Sequence, residues 1–266
     1  MLRKLLKYEI QATARIFLPM YALLIVFALI NKFFMAVNAD YLRIPQIISA
    51  SVFVIIIVGI CVMTLVVTIQ RYNKNLLSDE GYLSFTLPVK IHSHIDCKML
   101  VTLMWAVLSV IVSAISIFVM AVNEKTIVQI QRFFSEVIPA LNKLGSAGYV
   151  IVLEVLLLAV VAVLSETLAI YAAITIGNMS SKHKILLGIG AYLCFGIIEQ
   201  IIASILITSF SGTINQYFNW LSKFPAPAQA NAMQLILLGL LIYSLVFGAA
   251  YYFLTNWMLR KKLNLE

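Results

Sequence analysis

The chain has 266 residues, of which 62% are hydrophobic and 11% are charged, and its mean hydropathy is +1.00. Soluble domains carry about 25% charged residues, so this composition excludes a soluble globular protein. The net charge is +8, but no run of Lys and Arg is long enough to follow a phosphate backbone, which excludes nucleic acid as a partner.

Six apolar segments predict an all-α polytopic membrane protein with a single domain, residues 1–266. A helix needs about 20 apolar residues to cross about 30 Å of hydrocarbon, and a helix satisfies its own backbone hydrogen bonds in lipid. We expect the first segment to be retained, because it is too long for the apolar region of a signal peptide. The predicted spans are residues 16–37, 47–70, 99–122, 148–177, 185–210 and 231–258.

Residues 1–15 precede the first span and predict an N-terminal amphipathic helix. Their apolar side chains share one helical face, and Arg3, Lys4 and Lys7 fall on the other. A short basic helix of this kind lies along the inner membrane surface. The alternative is a plain, positively charged flank of the first span.

The distribution of Lys and Arg predicts the orientation of the chain. Positively charged residues collect in cytoplasmic loops. Of the 19 Lys and Arg residues, 13 lie in the segments 1–15, 71–98, 178–184 and 259–266, and the others lie in the alternate connections. Both termini are therefore expected in the cytoplasm.

The break between the second and third spans, residues 71–98, reads RYNKNLLSDEGYLSFTLPVKIHSHIDCK. It predicts a short helix, a turn at Gly81 and a stop at Pro88, because the residue before a proline avoids helical geometry. Four apolar side chains in this break have no soluble domain to bury them, and they predict a docking surface for another protein. They are Leu76, Leu77, Tyr82 and Phe85.

The same break resembles the intracellular segment of ABC transporter type 2 permeases, the membrane subunits of ATP-driven exporters. The matching residues, in order, are Glu80, Gly81, Tyr82, Leu87, Pro88 and Lys98. The six spans, the N-terminal helix and the loop before the last span, residues 213–230, are also similar. This loop is expected either to re-enter the membrane or to lie at the interface with no role in transport. The resemblance covers the whole chain and is closest to small permeases of Gram-positive bacteria. Tyr82 departs from it, because many members carry a small polar residue there.

The resemblance implies a cytoplasmic coupling helix around residues 75–80 that enters a groove on a separate ATPase subunit. It implies two ATPase copies and a second permease chain, identical or homologous, in the bacterial cytoplasmic membrane. The implied cargo is an amphipathic peptide of toxin or antimicrobial type, or a hydrophobic drug. The implied ATPase-coupling residues are Asn75, Leu76, Leu77, Asp79, Glu80, Gly81, Tyr82, Phe85 and Pro88. Without the resemblance, Asp79 and Glu80 would be expected only to solvate a turn.

The chain contains no GxxxxGK[ST] loop to hold nucleotide phosphates. We therefore expect ATP and Mg²⁺ on the partner ATPase, and no cofactor and no catalytic residue on this chain. No metal site is predicted either, because His92 and His94 do not share a helical face and the three Cys residues lack zinc-ligand spacing.

Residues 126–144, between the third and fourth spans, have apolar side chains at helical spacing. They predict an amphipathic helix on the outer side that either rests on the outer leaflet or caps the spans. Pro139 is expected to bend or break this helix.

Glu166 and Glu199 lie inside predicted spans, about 16 Å and about 21 Å from the inner ends at about 1.5 Å per residue. An ionised residue at the bilayer centre costs about 2.5 to 3.5 kcal/mol on insertion scales, so such residues usually face a cavity. They predict a polar patch on a translocation path that meets a cationic or amphipathic substrate. One alternative is a protonated, purely structural pair bonded to hydroxyl groups. Another is a proton-coupled secondary transporter, although we find no internal repeat of the kind that such transporters carry.

Overall fold

A computed structural model describes residues 2–37, 42–77, 91–180, 182–221 and 226–261 of the chain. Within these ranges the secondary structure is helical, with no β-strand. The α-helices are α1 (Leu2–Val37), α2 (Arg43–Tyr72), α3 (Ile91–Ala121), α4 (Glu124–Lys143), α5 (Ser146–Gly177), α6 (Lys184–Leu221) and α7 (Ala226–Lys261). A π-helical turn, Asn73–Leu77, follows α2 without a break.

Among the described residues, the six helices other than α4 are long and apolar enough to cross a membrane. Each predicted span lies within one of them, apart from Val122, which follows the last residue of α3. Large apolar side chains on these helices stay exposed, as for Ile185 and Phe253, which are 80% and 69% exposed. Lipid solvates such side chains, so the prediction of six membrane-spanning helices is confirmed.

The N-terminal amphipathic segment is not a separate helix. α1 runs without interruption from Leu2 to Val37 and contains Pro19. Residues 2–15 hold no Gly or Pro and several strong helix formers, so nothing stops the helix before the first span. The predicted interface helix is therefore corrected to a continuation of the first span, which agrees with the alternative of a charged flank.

The described part of the predicted coupling helix, up to Leu77, is not a separate helix. Residues 71–77 instead extend α2 through the π turn. Residues 78–90 lie outside the described residues. The predictions for Asp79, Glu80, Gly81, Tyr82, Phe85 and Pro88 fall among them and stay predictions.

Two other boundaries differ from the expectation. α4 is not broken at Pro139 and continues to Lys143, since a proline removes only one backbone donor from a helix that ends one turn later. α6 continues to Leu221, so the first part of the expected loop before the last span, residues 213–221, is helical and continues the fifth span.

The chain divides into two compact units, Met1–Gln131 and Arg132–Glu266. In the first unit, α1 packs against α2 and α3, and α2 packs against α3. The core of this unit is built from large apolar side chains of all three helices. It comprises Phe17, Tyr21, Leu24, Ala28, Phe53, Ile60, Val67, Val101 and Trp105.

In the second unit, α5 packs against both α6 and α7. The buried face of α5 is rich in small residues, among them Ala169, Ala172 and Ala173. Small residues let membrane helices approach closely. The closest approach is at Gly177, where an added Cβ would clash with the backbone oxygen of Lys184 and lie 2.9 Å from the backbone nitrogen of Gly188.

Candidate functional site

Glu166 and Glu199 each accept a hydrogen bond from a tyrosine on another helix of the second unit. Tyr192 of α6 donates to Oε1 of Glu166 on α5. Tyr251 of α7 donates to Oε1 of Glu199 on α6 at 2.5 Å. We call these four residues the carboxylate–tyrosine cluster. Tyr192 and Glu199 are two turns apart on the same face of α6, so this face contributes one tyrosine and one carboxylate.

Aromatic rings surround the Glu199 half of the cluster. The Tyr243 hydroxyl donates to the backbone oxygen of Glu199 at 2.8 Å. The ring of Tyr251 lies with its centroid 4.9 Å from that of Phe195 and 6.2 Å from that of Phe247. The carboxylate of Glu199 is therefore held between α6 and α7 beside several aromatic rings.

The Glu166 half lies where α5 and α7 approach each other. Ser165, the preceding residue, contacts Gly248 of α7, where an added Cβ would lie 3.3 Å from the Ser165 Oγ. Glu166 and Tyr192 are nevertheless exposed on this chain, whereas Glu199 is half-buried. Lipid solvates a carboxyl group poorly, so the exposed side chain of Glu166 is expected to face water or another molecule.

The cluster has no basic counter-charge in these helices, since residues 146–177, 185–221 and 231–259 contain no Lys or Arg. Two carboxyl groups, each held by a tyrosine hydroxyl in an apolar setting, offer oxygen acceptors to a cationic group. The residues that the sequence analysis missed are Tyr192, Tyr243 and Tyr251. Of these, only Tyr192 had a signal in the sequence. It lies seven residues before Glu199, a spacing that places both on one face of a helix.

Glu154, the third acidic residue in a predicted span, does not join the cluster. It lies 12 residues before Glu166 on α5, about 18 Å away along the helix axis at about 1.5 Å per residue. It is buried, and its Oε2 has no hydrogen-bond partner among the residues that the structure describes.

A second polar site lies in the first unit. Glu9 of α1 and Lys98 of α3 form a buried ion pair, in which Nζ lies 3.2 Å from Oε1 and the side chains are 14% and 7% exposed. The pair borders a cavity of about 90 Å³. We call the lining residues the Glu9–Lys98 junction; they are Leu5, Glu9, Asn75, Leu76, His94, Cys97 and Lys98.

The junction corrects one expectation about the break between the second and third spans. Leu76 is fully buried and Leu77 is 8% exposed, so these two side chains are not on an exposed docking surface. The reason is the π turn, which continues α2 and places Leu76 in the junction with α1 and α3. Asn75 lies in the same junction, and Lys98 lies within α3 and not at its start.

Both flanks of residues 78–90 thus meet α1 at one place. Asn75 and Leu76 come shortly before this segment, and His94, Cys97 and Lys98 come shortly after it. The described residues on both sides of this segment therefore meet the part of α1 that contains Leu5 and Glu9.

On the C-terminal side of the junction, α1 and α3 continue to contact each other through polar and aromatic side chains. Trp105 donates from Nε1 to the Thr13 Oγ1 at 2.7 Å, and its ring stacks on Phe17 at a centroid distance of 4.6 Å. Further along, the hydroxyl groups of Tyr21 and Ser109 are 2.7 Å apart. Residue numbers rise together along both helices, so α1 and α3 run parallel, as the first and third spans of an alternating topology must.

Among the described residues, no group of three or more His, Cys, Asp or Glu side chains is placed to hold a metal ion. No model of a known protein family matches the chain, and no curated protein or solved structure matches it. The fold alone defines the class, which is a multi-pass membrane protein with six apolar helices.

Proposed function

We propose that the chain is the membrane-spanning permease subunit of an ATP-driven ABC exporter. In this proposal two permease chains, identical or homologous, form the translocation path. Two separate ATPase subunits dock on the cytoplasmic segment 71–98, apart from its buried side chains such as Leu76 and Leu77. Both termini lie in the cytoplasm of a bacterium, and the chain performs no covalent chemistry. The proposal rests first on the order of Glu80, Gly81, Leu87 and Pro88 in the break after the second span.

The observation that carries the proposal is the attachment of both flanks of residues 78–90 to α1 at the Glu9–Lys98 junction. A docking segment works as a coupling element only if its displacement reaches the membrane helices. Removing one partner of a buried ion pair costs about 3 to 5 kcal/mol, so the junction resists separation. A force on the segment is therefore passed to α1, α2 and α3 together.

The carboxylate–tyrosine cluster supports a cationic amphipathic cargo, such as a peptide with basic residues or a hydrophobic amine. Glu166 is exposed at mid-span, and Glu199 lies beside the rings of Phe195 and Tyr251. A carboxylate attracts an ammonium or guanidinium group, and aromatic faces add cation–π attraction. The apolar part of such a cargo would contact the apolar side chains of the membrane-spanning helices.

The test is to purify the chain from its native membrane in mild detergent and to identify the proteins that accompany it. We expect an ATPase subunit in stoichiometric amount, which is lost when residues 75–85 are replaced. In the purified complex, Glu80→Ala should uncouple ATP hydrolysis from transport. The matched control is Glu136→Ala, which changes an exposed carboxylate on α4. A Glu80→Ala variant with full transport activity would contradict the proposal.

A proton-coupled secondary transporter is the second candidate, and the carboxylate–tyrosine cluster favours it. Two carboxyl groups, each bonded to a tyrosine hydroxyl within membrane helices, suit a proton-carrying site. In that case Glu166→Gln abolishes transport and Glu80→Ala does not. Depletion of ATP with the proton gradient preserved then leaves transport intact, whereas the exporter stops.

A further inference from the structure

The helix α4 differs from the other helices in that its apolar and polar side chains lie on opposite faces. Phe134 and Ile138 follow Ile127 by 7 and 11 residues, so the three side chains share one face. Arg132, Glu136 and Lys143 share the opposite face. A helix with two such faces needs an apolar surface on one side and water on the other.

Part of the apolar face is left exposed, whereas Ile130, Val137 and Leu141 at its other edge are half-buried. Ile127, Phe134 and Ile138 are 45%, 54% and 50% exposed. Phe133, beside them, is 60% exposed. These fractions resemble those of apolar side chains on the membrane-spanning helices, such as Ile205 at 59%.

The connections of α4 keep it close to the membrane. Two residues separate it from α3, and two separate it from α5. A helix that joins two consecutive membrane spans begins and ends on the same side of the membrane. Since its 20 residues extend about 30 Å at about 1.5 Å per residue, α4 can keep both ends at that level only by lying along the surface.

The turn into α5 is built for such a change of direction. Gly145 has a φ of 65°, a value that glycine adopts readily. An added Cβ at Gly148 would lie 2.9 Å from the Leu141 oxygen, and the Tyr149 hydroxyl donates to Oδ1 of Asn142 at 2.6 Å. These contacts fix the last turn of α4 against the first turn of α5.

We propose that α4 is a lipid-binding helix that lies in the headgroup region, with Ile127, Phe134 and Ile138 inserted at the boundary with the acyl chains. Of the two positions expected from the sequence, on the leaflet or as a cap on the spans, this selects the leaflet. The basic side chains Arg132 and Lys143 lie on the opposite face and point away from the lipid. Burial of apolar surface therefore holds the helix, and anionic lipid is not required.

The test uses single spin labels in the full-length chain, with Cys61, Cys97 and Cys194 replaced by alanine, in vesicles of phosphatidylethanolamine and phosphatidylglycerol. Labels at Ile127, Phe134 and Ile138 should collide with dissolved oxygen, which concentrates in lipid, and little with a water-soluble nickel chelate. Matched labels on the polar face, at Arg132, Glu136 and Lys143, should show the reverse. Circular dichroism and elution volume confirm that each labelled chain is folded.

Three results would overturn the proposal. Access of the nickel chelate to all six labels would place the apolar face in water. Exclusion of both reagents from Ile127, Phe134 and Ile138 would show that protein, such as a second copy of the chain, covers it. Loss of the pattern when phosphatidylcholine replaces phosphatidylglycerol would show that charge holds the helix. The test does not depend on transport, so its result is independent of the proposed function.

Discussion

Nζ of Lys98 lies 3.2 Å from Oε1 of Glu9, although 89 residues separate the two in the chain. This ion pair is buried at the point where α1 meets both flanks of residues 78–90. It makes the N-terminal part of the first span a component of the proposed coupling apparatus. The resemblance to permeases pointed to Lys98 but not to Glu9.

The first prediction concerns this ion pair. Glu9→Gln should destabilise the chain by about 3 to 5 kcal/mol, because it leaves the buried Lys98 without its counter-ion. Lys98→Met should cost less, because Glu9 is only half-buried. The double variant should recover most of the loss, since no unpaired charge remains. The free energy of unfolding in detergent measures both effects.

Lys143→Met is the control for that series, since Lys143 is an exposed residue of α4. It should change stability by less than about 0.5 kcal/mol. Additive effects of the two junction variants, with no recovery in the double variant, would show that Glu9 and Lys98 are not energetically coupled.

The second prediction concerns the contact between Trp105 and Thr13. Trp105→Phe keeps an aromatic ring against Phe17 but removes the Nε1 donor. We expect a loss of about 1 kcal/mol from the missing hydrogen bond. In the Trp105→Phe background, Thr13→Val should then have little further effect, and a thermal melt of the four variants checks this.

The third prediction concerns the close approach of α5 and α6. Gly177→Ala should destabilise the chain by about 1 to 3 kcal/mol, because its Cβ would clash with the backbone oxygen of Lys184 and lie 2.9 Å from Gly188, so backbone atoms would have to move. Gly196→Ala is the matched control, since its Cβ meets no atom within 4 Å. Alanine favours a helix by up to about 1 kcal/mol over glycine, so the control should raise the melting temperature or leave it unchanged. Equal effects at both positions would count against the packing.

The fourth prediction concerns the hydrogen bond from Tyr251 to Glu199. Tyr251→Phe removes the hydroxyl that lies 2.5 Å from Oε1, so the carboxyl stretching band of Glu199 should shift in the infrared spectrum. The band is assigned by its disappearance in Glu199→Gln. Tyr252→Phe changes the neighbouring ring and should leave the band in place. An unchanged band in Tyr251→Phe would mean that the hydroxyl does not bond this carboxyl group.

Much of the fold was predictable because the apolar spans are long, and lipid imposes one conformation on them. All six were located from hydropathy, with Leu168, Tyr171 and Phe53 among the buried residues that fall inside them. The ends were harder to predict. Residues 2–15 and 71–77 look polar, yet each continues the adjoining helix because no residue there stops it.

In the polar sites, a residue could be predicted from the sequence only where its own type is unusual for its position. Glu166 and Glu199 stand out as acids in apolar spans, and the structure gives both a tyrosine partner. The tyrosines themselves were missed, because a tyrosine is common in membrane helices and its partner lies on another helix. Glu9 was missed for the same reason, since only the packing of α1 against α3 reveals its role.

The π turn at Asn73–Leu77 also has a consequence for sequence length. A π turn amounts to one extra residue in an α-helix, so deletion of one residue there restores α geometry. The residues that follow then keep their rotation about the helix axis, because the wider turn had already absorbed the extra residue. Deletion of Asn73 would therefore leave Leu76 in its pocket. The π turn is the place where the chain can lose one residue and keep its packing at the Glu9–Lys98 junction.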